Sequence, residues 1–245
     1  MRGTLMLAAV ALLAFAGCQS TGSSSGGGGA AAPVSVAAGE DGLKGCWSFD
    51  EGSGAVAKNA AGPSDGQVPA GLKWVDGKKG KALLFNGKDY VVIKSYPCLN
   101  APQYTIAAWT KLKETGDYQY IAWKGGPAFP EEKNCRRFDL WVDTDGAVNG
   151  ILHDKDGGEN HFTGGAKIAD DKWHHVALTY DGKTATLYVD GKKDAEEKPP
   201  ALAACEHDLW IGARPEGVCA TGIIDEVRFY ARALTAAEVA AQAGR

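Results

Sequence analysis

The sequence predicts an all-β domain, an antiparallel two-sheet jelly-roll-type sandwich with a short C-terminal helix, and three observations carry that prediction. Between Lys44 and Tyr230 the apolar residues come in short runs rich in β-branched and aromatic side chains, such as Ala82–Phe85, Tyr90–Ile93 and Tyr104–Trp109, the pattern of strands separated by turns. No helical period is sustained before the final residues, so helices do not alternate with the strands and a parallel sheet is not expected. The chain of 245 residues is long enough for one sandwich with its own core.

The elements follow in chain order. Arg2 precedes an apolar run from Leu5 to Ala16 that is short for a membrane span and has the form of an export signal. The run ends in Phe15-Ala16-Gly17-Cys18, which resembles the bacterial lipobox, and the resemblance implies cleavage after residue 17 and lipidation of Cys18. Acyl chains contribute about 0.8 kcal/mol per buried CH₂, so two or three chains make a lasting anchor. Gln19 in place of Asp implies, by the same resemblance, the outer membrane. Residues 18–42 form a Gly/Ser/Ala tether without enough apolar surface to offset the entropy of ordering. The folded domain is expected over 43–245.

Two hairpins are legible inside that domain. Asp181-Gly182 joins Trp173–Tyr180 to Thr184–Val189, and Asp-Gly supplies the positive φ of a tight turn. Asp143-Thr-Asp-Gly146 fits a three-residue turn with Gly146 left-handed, which sets Val142 against Val148 and Trp141 against Asn149. Alternation then sends Phe138, Leu140, Val142, Val148 and Leu152 to the core and Arg137, Asp139, Trp141, Asn149, Ile151 and His153 to the other face. At the end of the chain, Thr235-Ala-Ala-Glu238 is a capping box that starts a helix, and its alanine-rich body is expected to cover a sheet edge.

Charge excludes one partner class. The 26 Lys and Arg are scattered among 30 Asp and Glu for a net charge of −4, without the basic stripe that nucleic acid requires. With Cys18 lipidated, Cys46, Cys98, Cys135, Cys205 and Cys219 remain in a compartment that permits disulfides. Cys46, beside Trp47 in the first strand, is the expected buried thiol, and Cys98, Cys135, Cys205 and Cys219 are candidates for two bridges. Paired Cys-x-x-Cys spacing, the signature of zinc, is absent from the sequence.

Six blocks then occur in a telling order: Cys46–Gly54 (CWSFDEGSG), Gly80–Gly87 (GKALLFNG), Tyr104–Trp109 (YTIAAW), Trp173–Ala177 (WHHVA), Leu187–Gly191 (LYVDG) and Gly222–Tyr230 (GIIDEVRFY). Together they resemble laminin-G-like jelly rolls of the concanavalin-A-like lectin/glucanase type. The resemblance implies two curved sheets, a structural role for His175, and large aromatics, Trp109 and Trp123 among them, in the core as well as at ligands. It also implies one structural Ca²⁺ held by oxygens at Asp50, Asn86, Gly87 and Asp225. Strand alternation groups Asp225 with Ile223, Val227 and Phe229 on one face, so its carboxylate needs a partner, and a hydrogen bond from the backbone or from Arg228 is the alternative to calcium.

The fold hosts lectins, adhesion modules and glycan-cleaving enzymes, so function must come from a site. Glycosidases need two carboxylates flanking one bond, and Asp225-Glu226 are neighbours that diverge on a strand. No Gly-x-Ser-x-Gly stretch lies between a strand and a helix, where a nucleophile elbow would need it. No catalytic residue is expected. His153 and His161 bracket several carboxylates without the closing glutamate of an EF-hand, which leaves a solvated loop. The expected ligand surface is Arg137, Asp139, Trp141, Asn149 and His153, since an indole stacks on sugar C–H faces and the polar residues bind hydroxyls; the opposing reading has Trp141 packed under a loop. The expected role is glycan binding or adhesion, with a glycan and, through the lipid, the membrane as partners; a protein-binding scaffold and, behind it, a glycan-cleaving enzyme are the rival classes.

Overall fold

A computed structural model describes residues 40–126, 136–156, 158–202, 204–215 and 217–245. The signal segment, Cys18, most of the tether and Cys135 lie outside the described residues. The strands are β1 (Leu43–Trp47), β2 (Val56–Ala57), β3 (Gly66–Gln67), β4 (Lys73–Asp76), β5 (Lys81–Asn86), β6 (Val91–Ile93), β7 (Tyr104–Leu112), β8 (Gln119–Gly125) and β9 (Arg136–Val142). They continue with β10 (Ala147–His153), β11 (Glu159–Lys167), β12 (His174–Tyr180), β13 (Ala185–Val189), β14 (Lys192–Glu197), β15 (Leu209–Ile211), β16 (Ala213–Arg214), β17 (Val218–Cys219) and β18 (Thr221–Tyr230), and helix α1 (Ala236–Ala243) follows.

These strands form two antiparallel sheets. The first runs β14-β13-β12-β7-β18-β5-β4 with β1 also on β18, the second runs β11-β10-β9-β8-β15-β6-β3-β2, and β16–β17 is a separate hairpin. Both predicted hairpins are present. Val142 pairs with Val148 and Trp141 with Asn149, with Gly146 at φ +88° and Gly182 at +94°. Phe138, Leu140, Val142, Val148 and Leu152 are all fully buried in the core between the sheets, where each large side chain contributes roughly 1.5–3 kcal/mol.

One local expectation needs correcting. Alternation puts Asp225 on the same face as Val227 and Phe229, but a β-bulge intervenes. The first half of β18 pairs with β5 and the second half with β1, and the register against β7 slips between Asp225 and Arg228. Glu226 takes up the extra residue at φ +49°, so Ile224, Val227 and Phe229 reach the core and Asp225 pairs with Trp109 on the outer side. Helix α1 starts on the predicted capping box, with Thr235 and Glu238 bonding reciprocally. It lies over the outer face of the first sheet, where Val239 packs with Ala107, Ala177, Tyr188 and Tyr230, and it reaches the edge strand β14.

The cysteines also depart from expectation. Cys98 is disulfide-bonded, and Cys135 lies outside the described residues. Among the described residues Cys205 and Cys219 are buried thiols not bridged to each other, and Cys46, the expected buried thiol, is only half-buried.

Candidate functional site

The five residues expected to form a ligand surface share one face of the second sheet, yet each exposes 7% or less of its area. Trp141 is stacked between Tyr120 and His161, with ring centroids 5.7 Å away in each case, and Tyr118 meets it edge-on at 5.1 Å. Asn149 donates through Nδ2 to Asp143 and to the Ala147 carbonyl, and its Oδ1 accepts from Thr163. Arg137 donates to the Ala101 carbonyl and lies over the Tyr104 ring. Asp139 and His153 face each other at 3.6 Å. The expectation of an open stacking surface at Trp141 is therefore corrected: these side chains form a packed supporting layer. Part of the cover is the β16–β17 hairpin, whose Arg214 donates to the Tyr120 hydroxyl at 3.2 Å and caps its ring.

Tyr118, at the rim of this layer, exposes 48%, and a further pair of accessible aromatics lies farther along the sheet. Val91, Ile93, Leu209 and Ile211 point into the core, so alternation turns Val92 and Trp210 outward. Trp210 pairs with Val92 of β6 and Trp123 of β8. Its indole stacks on Tyr90, centroids 4.5 Å apart and planes within 14°, and both rings are half-buried. A cavity of about 560 Å³ beside Tyr90 is lined by Gln67, Lys88, Asp89 and Val92. A second of about 280 Å³ beside Trp210 is lined by Gly125, Gly126, His207, Asp208 and Pro215.

Short strands hold this platform because a buried cation gathers the chain around it. Lys124 is fully buried, and its ammonium donates to Ser95 Oγ and to the carbonyls of Cys205 and His207, fixing both segments that flank the β6–β15 pair. Asp208 is oriented by Lys94 at 2.8 Å and by the Ser95 N–H, and Asp89 by Asn86 Nδ2 at 2.7 Å. The result is an apolar flat surface with fixed acceptors on either side. Sequence reasoning missed it because neither Tyr90-Val-Val-Ile nor Leu209-Trp-Ile alternates with polar residues, the only local signal that assigns a face.

The four expected calcium ligands do not converge. Asp50 Oδ1 accepts from Lys81 N at 2.8 Å and Asp225 Oδ2 from Lys79 N at 3.1 Å, so these two carboxylates share the 77–81 turn. Asn86 stands at the other end of β5, roughly 17 Å of strand away, where its Oδ1 accepts from Lys88 N and Asp89 N and closes the Gly87 turn. Asp225 is fully buried, and burial pushes its carboxyl up to about 7 against the hydrogen bonds from Lys79 and Glu226. Among the described residues no cluster of three or more His, Cys, Asp or Glu is placed to hold a metal. Trp123 is fully buried and Trp109 nearly so, His175 meets the edge of Trp109, and His174 bridges Asp170 and Asp190.

Comparison with solved structures gives the same architecture in proteins of low sequence identity. The binding domain of Paraclostridial Mosquitocidal Protein 1 aligns with a TM-score of 0.69 at 16% identity over 84% of this chain and 52% of that one. Domain 4 of AbnA, an extracellular GH43 arabinanase of Geobacillus stearothermophilus solved with arabinotriose, aligns at 0.64 and 21% identity over 82% of this chain and 98% of that domain. A Trypanosoma rangeli sialidase aligns at 0.64 and 18% over 83% of this chain and 32% of the enzyme. The chain thus spans about half of the mosquitocidal structure and about a third of the sialidase. No curated protein matches the sequence significantly. The family model Laminin_G_3 matches residues 85–240, and with that match and two antiparallel sheets the chain belongs to the laminin-G-like branch of the concanavalin A-like lectin/glucanases superfamily.

Proposed function

We propose that this domain is a noncatalytic carbohydrate-binding module, displayed on an outer membrane by lipid on Cys18, whose ligand stacks on Tyr90 and Trp210. The observation that carries the reading is the half-buried, stacked aromatic pair set between two polar-lined cavities. Pyranose and furanose rings offer C–H faces to such a pair and hydroxyls to Gln67, Asp89, His207 and Asp208. The family and its carbohydrate-handling structural neighbours support the ligand class. Chain direction supports the display: β1 and Glu40, which pairs with Arg228, enter through the first sheet, whereas the platform is on the outer face of the second.

A glycan array probed with wild type, Trp210→Ala and Tyr90→Ala tests the site. A glycan bound equally by wild type and a stably folded Trp210→Ala variant removes the platform. Sugar release from the bound polysaccharide replaces the module with an enzyme, and failure to bind any glycan leaves the protein-scaffold class. For the anchor, Cys18→Ser is expected to shift the protein from the membrane fraction to the soluble one.

We also propose that Ca²⁺ is held by Asp50 and Asp225 at the 77–81 turn, without Asn86 or Gly87. The glycines support it: a Cβ at Gly77 or Gly80 would come within 2.6 or 1.9 Å of these carboxylates. The two carboxylates fall short of the six to eight oxygens calcium takes, so turn carbonyls and water would supply the rest. The folded carboxyl of Asp225 titrates near 7, against 3.8 ordinarily, so the folded state holds a proton that the unfolded state releases. Stability without metal therefore falls as pH rises from about 4 to 7, and a bound cation offsets this most when the carboxyl is ionised. Calcium should raise Tm more at pH 8 than at pH 5; equal Tm in calcium and EDTA at pH 8 excludes the site.

A further inference from the structure

The outer face of the first sheet holds a second feature that the sugar platform does not use. Between the 77–80 turn, β7, β12, β18 and α1 lies a small cavity of about 30 Å³ lined by Lys78, Lys79, Trp109, His175, Glu226, Arg228, Gln242 and Arg245. Two of these residues bury polar atoms that have no partner: His175 Nδ1 and Gln242 Oε1, on side chains that expose only 3% and 8%. Leaving such atoms unmet is costly, and both belong to residues that line the same cavity. We infer that the cavity binds a small monoanion, of carboxylate or halide size.

Size, charge and hydrogen-bonding capacity each support that class. The volume admits a group of one or two water molecules' bulk and excludes a sugar ring. Four cationic side chains line it against one carboxylate, Glu226. Arg228 is engaged by Glu226 at 2.7 Å and by Glu40 at 2.9 Å, which leaves Lys78, Lys79 and Arg245 as the excess. Lys78 is held over the Trp109 ring at 4.2 Å.

The neutral groups also suit an anion. Burial lowers the His175 pKa to about 4, so the imidazole is neutral with one N–H to give. Gln242 Nε2 donates to the Tyr230 hydroxyl at 2.7 Å. Rotating the amide by half a turn lets that hydroxyl donate to Oε1 and puts the Nε2 donor in place of the unmet oxygen. Both orphan atoms are then satisfied, with His175 Nδ1–H and Gln242 Nε2–H serving as donors to the anion. Glu226, at φ +49°, is a strained non-glycine residue at the rim, and such strain gathers at ligand sites.

Thermal unfolding of the whole domain in chloride, bromide and acetate, each against a bulky sulfonate at equal ionic strength, tests the site. Tm is expected to rise saturably in all three small anions and not in the sulfonate. Gln242→Leu should weaken the apparent affinity at least ten-fold, and Lys78→Met by a smaller factor. A rise in acetate alone would narrow the ligand to a carboxylate, and one in the halides alone to a spherical anion. Crystals grown in sodium bromide supply a readout independent of variant folding, with an anomalous peak expected beside His175. Equal Tm in sulfonate and small anions, an unchanged affinity in folded Gln242→Leu, or a bromide-free cavity overturns the proposal.

Discussion

Trp141 and Trp210 occupy the same face of the same sheet, and each is stacked on a tyrosine. Trp141 meets Tyr120 at 5.7 Å and Trp210 meets Tyr90 at 4.5 Å. Trp141 nonetheless exposes only 7%, while Trp210 remains half-buried beside an open cavity. The difference is made by what crosses above them. Tyr118, His161 and the β16–β17 hairpin close over the Trp141–Tyr120 pair, and among the described residues no comparable element covers Tyr90 and Trp210. Strand alternation decides which face a side chain takes; loops decide whether that face meets solvent.

The largest effect that would test this contrast is on stability. Trp141→Ala removes a packed indole from between Tyr120 and His161 and should cost about 3–5 kcal/mol, measured by denaturant unfolding, while the folded fraction keeps its glycan affinity. A variant that folds with wild-type stability and loses the glycan would reverse the roles of the two tryptophans. Next in size is the complementary change. Trp210→Ala should weaken glycan binding at least ten-fold, about 1.4 kcal/mol, as read by titration calorimetry, and lower stability by less than Trp141→Ala does.

How much of this was legible follows from the same contrast. The Asp143–Gly146 turn and the Thr235–Glu238 capping box were readable because their chemistry is local, and both fix register or an element boundary without help from distant residues. The facing of Trp141 and Asn149 followed from that turn. Its burial did not, since the residues that cover it are separated from it in sequence, with Arg214 more than seventy positions away. Trp210 was missed for the opposite reason. In Leu209-Trp-Ile both neighbours are apolar, and only the pairing with Val92 and Trp123 reveals which way the indole turns. The bulge at Glu226 was equally hidden, because a glutamate rather than a glycine takes the positive φ, and that one residue separated Asp225 from the core side chains with which alternation had grouped it. The metal set divides for the same reason: Asp50 and Asp225 meet at one turn, but the strand between Lys81 and Asn86 holds the other two residues apart.

The smallest of the three effects addresses the cover itself. Arg214 holds the β16–β17 hairpin against Tyr120 through one hydrogen bond at 3.2 Å and a guanidinium 5.3 Å from the ring. Contacts of these kinds are each worth about 0.5–1.5 kcal/mol, so Arg214→Ala should cost on the order of 1 kcal/mol and leave the two sheets intact. Its informative consequence is local. Loosening the hairpin should raise acrylamide quenching of Trp141 fluorescence, read as the difference from a matched Trp141→Phe variant that subtracts the other six tryptophans, toward the level that Trp210 shows by the same subtraction. Unchanged quenching in a folded Arg214→Ala variant would mean that Tyr118 and His161 alone shield the indole. The hairpin would then have no part in making one tryptophan structural and leaving the other open to a ligand.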